Sequence, residues 1–497
     1  MKGFLFVLVL GLSVNSLFAQ SRHYSSQSMG MGSGGTAYVD GYHANFVNPA
    51  NLMLKMHRPK NTVGIVGGLG IKAGGSLLNV SVYNKYLTTG LLIDGEIREN
   101  MLSEWFGRSQ NNFRDVSADF SMVPFGFSHR SEKSAFSLAT RVRVSQDFGI
   151  NKGTAELLTY GLDSEIFNTP TPIDFRSNTV VFAEMSVGYA RHIITLPEVL
   201  FAKDIKVFAG IAPKYLHGIY TTSFDFNSTL HMQQPTDNEP FTIHHEFNYS
   251  LQTIGELSRQ LQAYEAAYNQ DNEAEFGDYI DYGGDDLGEK QASGFGVDLG
   301  ATVEMDITSI PIPLFMDKVK TLRISMSFTD LGRLNFDQSA SSIYAEGDFK
   351  YVGAEDQDDF NTFFDNLADS LEKDVYGKFN SQEKDAVTYS LPAMYNLGSS
   401  LEMGNLLLAL DLGFGFNNNG ANSRRMSMNL GTQYKFFGFL PLRLGTRIGG
   451  YSSASYSAGF GLDFNNFEFT FGLSTVNNSE NYGTSAGVAW SGLVIRF

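Results

Sequence analysis

The chain has no cysteine, two tryptophans, and charged residues at only 18% of its 497 positions. Without cysteine there is no disulfide framework, no thiolate metal centre and no thiol nucleophile. No internal run is apolar for long enough to cross a bilayer as a helix. Basic residues are the scarcer charge, 36 against 53 acidic, and the resulting net charge of −17 argues against nucleic acid as a partner. What the chain does have is 51 Gly, 41 Phe and 23 Tyr. An aromatic content of 13% excludes disorder as the main state. The glycines lack the three-residue period of collagen. Much Gly and Phe with few charges describes many half-buried strands, not a helical enzyme.

The first twenty residues, MKGFLFVLVLGLSVNSLFAQ, place a positive charge at Lys2 before the apolar run Phe4 to Leu12 and a small residue at Ala19. The run is too short to span a membrane, so it predicts a secretory signal over 1–19. No cysteine follows that could carry a lipid anchor.

The C-terminal 200 residues alternate strictly. In GFGVDLGATVEM (294–305), Phe295, Val297, Leu299, Ala301, Val303 and Met305 share one face, while Asp298, Thr302, Glu304 and glycines share the other. Leu406, Leu408, Leu410, Leu412 and Phe414 oppose Asp411 and glycines; Leu322, Ile324, Met326 and Phe328 oppose Arg323. Leu442, Leu444 and Ile448 oppose Arg443 and Arg447. Segments 423–436, 455–465 and 467–476 repeat the pattern in units of about ten residues. Such alternation suits either a soluble sandwich or a barrel whose apolar face meets lipid and whose polar face lines a lumen. The mixture of glycine with charges of both signs on the second face, and the unbroken hairpins from Ala386 to Phe497, favour the barrel. The expected fold is all-β: a closed transmembrane up-and-down barrel of about 14 strands. Further strands are expected at 62–72, 75–87, 116–128, 134–148, 177–192, 205–222 and 241–252, and acidic helices at 96–107, 251–270 and 359–379, in outer loops or over the mouth. In the last strand, Ala489, Leu493, Ile495 and Phe497 are expected to face out, with Trp490 and Arg496 facing in. The expected lumen set is Asp298, Glu304, Arg323, Asp411, Arg425, Arg443, Arg447, Asp463, Glu468 and Arg496, paired mainly with one another.

Two features carry a resemblance. A final strand ending in Phe497 resembles the insertion signal of bacterial outer-membrane barrels, which implies lipid and the barrel-assembly machinery as partners and the outer membrane of a Gram-negative cell as location. Between the signal and the first strand lies SMGMGSGGTAYVDGYHANFVNPANLML (28–54). Its Gly30, Gly32, Gly34, Gly35, Asp40, Ala44, Asn48, Pro49 and Ala50 resemble the N-terminal hatch of the FadL outer-membrane transporter superfamily. Independently of that likeness, glycines allow backbone to pack on backbone, and Asn-Pro makes a rigid turn. The chain thus divides into a signal (1–19), a hatch (20–60) and a barrel (61–497). The resemblance implies passage of a hydrophobic small molecule through a plugged barrel. The alternative within the same superfamily is a PorV-like scaffold or secretion partner, whose outer loops hold another protein.

No catalytic residue, cofactor or metal is expected. Gly483-Thr484-Ser485-Ala486-Gly487 matches a nucleophile elbow, but it opens a strand where that motif needs a strand-to-helix turn. A lipase-like barrel would need Ser beside His on adjacent strands, and no spacing singles out His129, His192, His217 or His231. His244 and His245 are consecutive on a strand, so they face opposite ways and cannot share one metal. Gly68-x-Gly70 and Gly294-x-Gly296 lack the following helix of a dinucleotide site. The acidic stretches holding Asp278, Asp281, Asp285, Asp286, Glu289, Asp356, Asp358 and Asp359 match no EF-hand and read as solvated faces.

Overall fold

In the computed structural model the described residues are 25–54, 59–88, 95–161, 165–233, 242–270, 291–352, 379–417, 422–450, 452–479 and 483–497, with Ala274, Asp278 and Tyr279. The expected signal, the helix at 359–379 up to residue 378, and the acidic residues Asp281, Asp285, Asp286, Glu289, Asp356, Asp358 and Asp359 lie outside them.

The alternating segments pair as antiparallel neighbours into a closed 14-stranded barrel. Its strands are β1 (Asn61–Ile65 with Leu69–Gly75), β2 (Phe113–Met122 with Phe125–Arg130), β3 (Ser134–Asn151), β4 (Thr171–Leu196), β5 (Lys203–Gln233), β6 (Thr242–Thr253 with Ala292–Asp306) and β7 (Lys320–Phe336 with Ser341–Val352). There follow β8 (Asn380–Glu383, Val387–Ser390 and Met394–Met403), β9 (Leu406–Gly415), β10 (Ser427–Phe436), β11 (Leu440–Gly449), β12 (Ser452–Asp463), β13 (Phe467–Ser479) and β14 (Gly483–Trp490 with Leu493–Arg496). The sheet closes where β14 meets β1, with Ile495 opposite Val63 and Trp490 opposite Leu69. Asn61 and Phe497 exchange backbone hydrogen bonds of 3.0 and 3.2 Å at that seam. Closure leaves no free edge.

The outward face is apolar and exposed. Leu444 is 62% exposed, and Ile324, Ile448 and Leu473 are each about half exposed, far more apolar surface than a water-facing sheet carries. Aromatic rings bound this belt on both sides. Phe437, Phe439 and Phe464 stack at the end bearing the termini, and Phe328, Tyr395, Phe414 and Phe416 stack at the other. That is the belt of a membrane barrel.

Beyond the belt, at the loop end, β4 and β5 continue to 26 and 31 residues, past the ends of the strands expected at 177–192 and 205–222. Their outward face turns polar there, while the inward face stays aromatic and supports a dome. The helices α2 (Gly95–Phe106), α3 (Lys152–Tyr160) and α4 (Gly255–Gln270) pack under this wall. Met101, Leu102 and Phe106 of α2 and Leu261, Tyr264 and Tyr268 of α4 share one buried cluster with Phe175, Phe226, Phe247 and Tyr249 of the wall. The α2 and α4 helices lie where the sequence placed them, although α4 starts later because β6 runs to Thr253.

The strand expected at 75–87 is instead helical: Val80–Val82 and Tyr83–Leu87 form consecutive turns. The reason is Asn79. Its side chain accepts from the amides of Ser81 and Val82 at 3.1 and 3.2 Å, a helix cap that competes with the strand ladder. Val82 and Tyr86, four apart, then join the dome cluster. A second correction falls on the last strand. Ala489 faces in and is fully buried, whereas Trp490 faces out, edge-on to Phe469. Ser491 and Gly492 break the ladder, with Gly492 at φ +69, and so shift the alternation by one; Arg496 and Val494 then face in.

Candidate functional site: a filled lumen

Residues 25–54 pack against inward-facing residues of strands all round the barrel. Ser25 caps α1 (Ser26–Gly30), its side chain accepting from Ser28 at 3.0 Å. Two 3-10 turns follow, Gly41–Phe46 and Pro49–Met53. The segment approaches the wall backbone to backbone where both partners lack a Cβ. A Cβ on Gly32 would fall 2.7 Å from the Thr446 carbonyl, and one on Gly445 would strike Gly32. Gly210 and Gly300 likewise leave room for Pro49-Ala50 and Asn48. The inward glycines of the alternating pattern are therefore where the segment lies.

Polar bonds fix the rest. Asp411 accepts from the amides of Gly35 and Thr36 at 3.2 and 2.8 Å. The Asn48 side chain accepts from Ala50 at 3.1 Å and donates to the Thr36 carbonyl at 2.8 Å and to Thr302 Oγ1 at 3.0 Å. Asn51 donates to the carbonyls of Thr36 and Val39, and accepts from Thr302 at 2.8 Å. Ser26 and Thr470 hydroxyls meet at 2.7 Å, and Ser400 donates to the Ala37 carbonyl at 2.9 Å. Asp40 stands at the N-cap position of the Gly41–Phe46 turn without a side-chain cap bond. Gly30 rests on the Arg443 side chain, whose Nε donates to Gln433 at 2.8 Å.

Above the segment lies a buried network of six charges. Lys214 reaches Asp298 at 2.7 Å, Asp330 at 2.6 Å and Glu184 at 3.5 Å. Arg141 pairs with Glu184 at 2.6 Å and Arg143 with Asp330 at 3.1 Å. Asp330 sits at a register shift with φ +56, and its amide donates to Asp298 at 2.6 Å. Phe46 of the segment lies under this network, with the Arg141 guanidinium 4.2 Å from its ring centre. Nearer the termini, Arg323 pairs with Glu304 and Glu402 at 2.7 and 2.8 Å. Arg496 pairs with Asp463 at 2.9 Å and with Glu468.

Asp298, Arg323, Asp411, Arg443, Arg447 and Arg496 are all buried inside. They form separate groups, however: Asp411 serves the segment's backbone, and Arg425 is an exposed loop residue, not a lumen one. Sequence reading missed Arg141, Arg143, Glu184, Lys214 and Asp330. The signal was present, since the first four occupy the inward register of strands that were expected. Two gaps beside the segment are water-sized, about 40 Å³ between Gly34, Phe46, Asp330 and Asp411, and about 30 Å³ between Tyr42, His43, Glu468 and Arg496. Ser228 and His245, on adjacent strands, are 2.8 Å apart. Both are buried and His245 packs against Phe226 and Phe247, the surroundings of a core hydrogen bond.

Fold and lumen together define a closed membrane-type barrel with its own N-terminal segment inside. Residues 56–474 match a family described as a family of unknown function, DUF5723, and the chain belongs to that family. No protein of curated function matches it in sequence. Among solved structures it is similar to the toluene transporter TodX of Pseudomonas putida, at 9% identity and a TM-score of 0.39 over 96% of this chain and 99% of that one. The toluene transporter TbuX of Ralstonia pickettii gives 13% and 0.43 over 96% and 99%. A FadL homologue of Pseudomonas aeruginosa gives 11% and 0.41 over 96% and 98%. At these identities the likeness concerns the fold alone.

Proposed function

We propose that the chain is an outer-membrane passage for small hydrophobic molecules, with residues 25–54 as a hatch that must shift for passage. The observation that carries this is the manner in which the segment is held. It is bound to the wall by separate hydrogen bonds: Asp411 accepts from its backbone, Asn48 and Asn51 bond Thr302, Ser26 bonds Thr470 and Ser400 bonds Ala37. The neutral ones are worth about 0.5–1.5 kcal/mol net and those to the Asp411 carboxylate about 1.5–3 kcal/mol, and each can be exchanged for water. The barrel's own ladder is continuous without the segment, so a hatch can move while the wall stands. The aromatic dome over the mouth offers an apolar solute a first resting place, and two gaps beside the segment, about 40 and 30 Å³, are too small for such a solute, which favours a segment that moves. The apolar belt supports a membrane location, and the export signal expected over 1–19 supports the outer membrane.

Deleting 25–54 should leave a barrel that inserts and conducts in planar bilayers more than the parent, with faster uptake of an aromatic hydrocarbon by cells. Unchanged conductance and uptake would remove the hatch from the account. Recovery of the parent with a stoichiometric protein partner on its loops, and no uptake, would replace passage with the scaffold role.

A further inference from the structure

The outward face of the extended wall, above the belt, brings together side chains that the lumen reading does not use. On β6, His244 and Glu246 point outward, two residues apart on the same face, and the β7 extension places Asp348 directly opposite Glu246. Nε2 of His244 lies 2.6 Å from Oδ1 of Asp348. One ligand atom from each of the three lies within 4.8 Å of the others. On the other side, β5 places His231 directly opposite His244, a spacing of about 4.5–5.5 Å between Cβ atoms. One imidazole and two carboxylates thus converge, and the adjacent strand places a second imidazole beside His244.

Two carboxylates directly opposed across strands repel one another, and this is destabilising unless a cation lies between them. Lys350, which also flanks His244, is exposed, and its ammonium is free to extend into water. A metal is the cation that would use the imidazoles and carboxylates together. Imidazole nitrogen with carboxylate oxygen suits zinc-class divalent ions, whereas calcium and magnesium take oxygen ligands alone.

We propose that His244, Glu246 and Asp348, completed by His231, form a surface site for a zinc-class divalent ion that ties β5, β6 and β7 together outside the membrane. The site is in water, on a wall already built by backbone pairing, so binding needs only side-chain rotation. His244 and His245 do face opposite ways, but His244 finds its partners at Glu246, two residues on along the same face, and on the adjacent strands.

The test uses the full-length protein in detergent, stripped of metal and titrated with Zn²⁺ by calorimetry, with Co²⁺ as a spectroscopic probe. The parent should bind one more equivalent of Zn²⁺ than His244→Ala or Asp348→Asn, and should show a visible Co²⁺ ligand-field band that both variants lose. His231→Ala should weaken binding about tenfold, a ligand-sphere effect, while His129→Ala, at the opposite end, should bind as the parent does. All variants should keep the heat-dependent gel shift of a folded barrel, because the residues changed lie on the outer surface. Equal Zn²⁺ stoichiometry and affinity in the parent, His244→Ala and Asp348→Asn would overturn the site, as would a Co²⁺ band that survives both substitutions.

Discussion

Asn48 and Lys214 show what a single residue does in this lumen. Asn48 is fully buried and uses both ends of its amide, one to cap its own turn and the other to hold Thr36 and Thr302. Asn48→Leu leaves those partners unpaired at a cost of about 1–3 kcal/mol, borne by the segment and not by the barrel ladder. The variant should insert normally and show higher conductance in planar bilayers; parental conductance would mean that Asn48 does not hold the segment. Lys214 is different, because it is shared by three carboxylates. Lys214→Met should cost about 3–5 kcal/mol by stranding buried anions, and should lower the temperature at which the folded band unfolds on a gel. An unchanged transition would show that the network reorganises without loss. Asn48 was legible because Asn-Pro is local turn chemistry. Lys214 was not, because its partner Asp330 is 116 residues away and a lone inward lysine carries no mark of what faces it.

At the scale of elements, alternation identified strands well wherever one face meets lipid and the other a filled lumen. It failed where a short polar side chain offered the backbone a better local bond. Val80 and Val82 alternate like a strand, but Asn79 caps them into a helical turn. The phase of the last strand failed for a related reason: a break at Ser491-Gly492 is invisible to a period of two, and a one-residue slip turns every side chain over. That break has a measurable role. Gly492 has φ +69, a region costing other residues about 1–2 kcal/mol, and a side chain there would meet the Val66 backbone. Gly492→Val should therefore impair closure between β14 and β1 and reduce the yield of folded, heat-modifiable barrel in membranes. A normal yield would mean that the seam tolerates a different phase. The upper ends of β4 and β5 escaped prediction because their inward faces bury against helices, so the pattern continues without announcing that the membrane has ended.

For the whole molecule, composition was already informative. Abundant Gly with mixed charges on one face and Leu or Phe on the other is what a narrow lumen filled by its own chain requires, and the glycines mark the contact points. The order from termini to loops is charge pairs, segment, six-charge network and aromatic dome. Motion of the segment past the wall is the central claim, and the absence of cysteine makes it directly testable. Ser26 and Thr470 face each other across the segment and β13, with hydroxyls 2.7 Å apart, a separation compatible with a disulfide between replacements. The segment is already tethered to β1 beyond Leu54, so a bond at residue 26 would fix it at both ends. The measurement is uptake of an aromatic hydrocarbon by cells carrying Ser26→Cys with Thr470→Cys, before and after oxidation and again after reduction. Uptake should fall to the level of a strain without the protein on oxidation and return on reduction. Uptake unaffected by the cross-link would contradict a moving hatch.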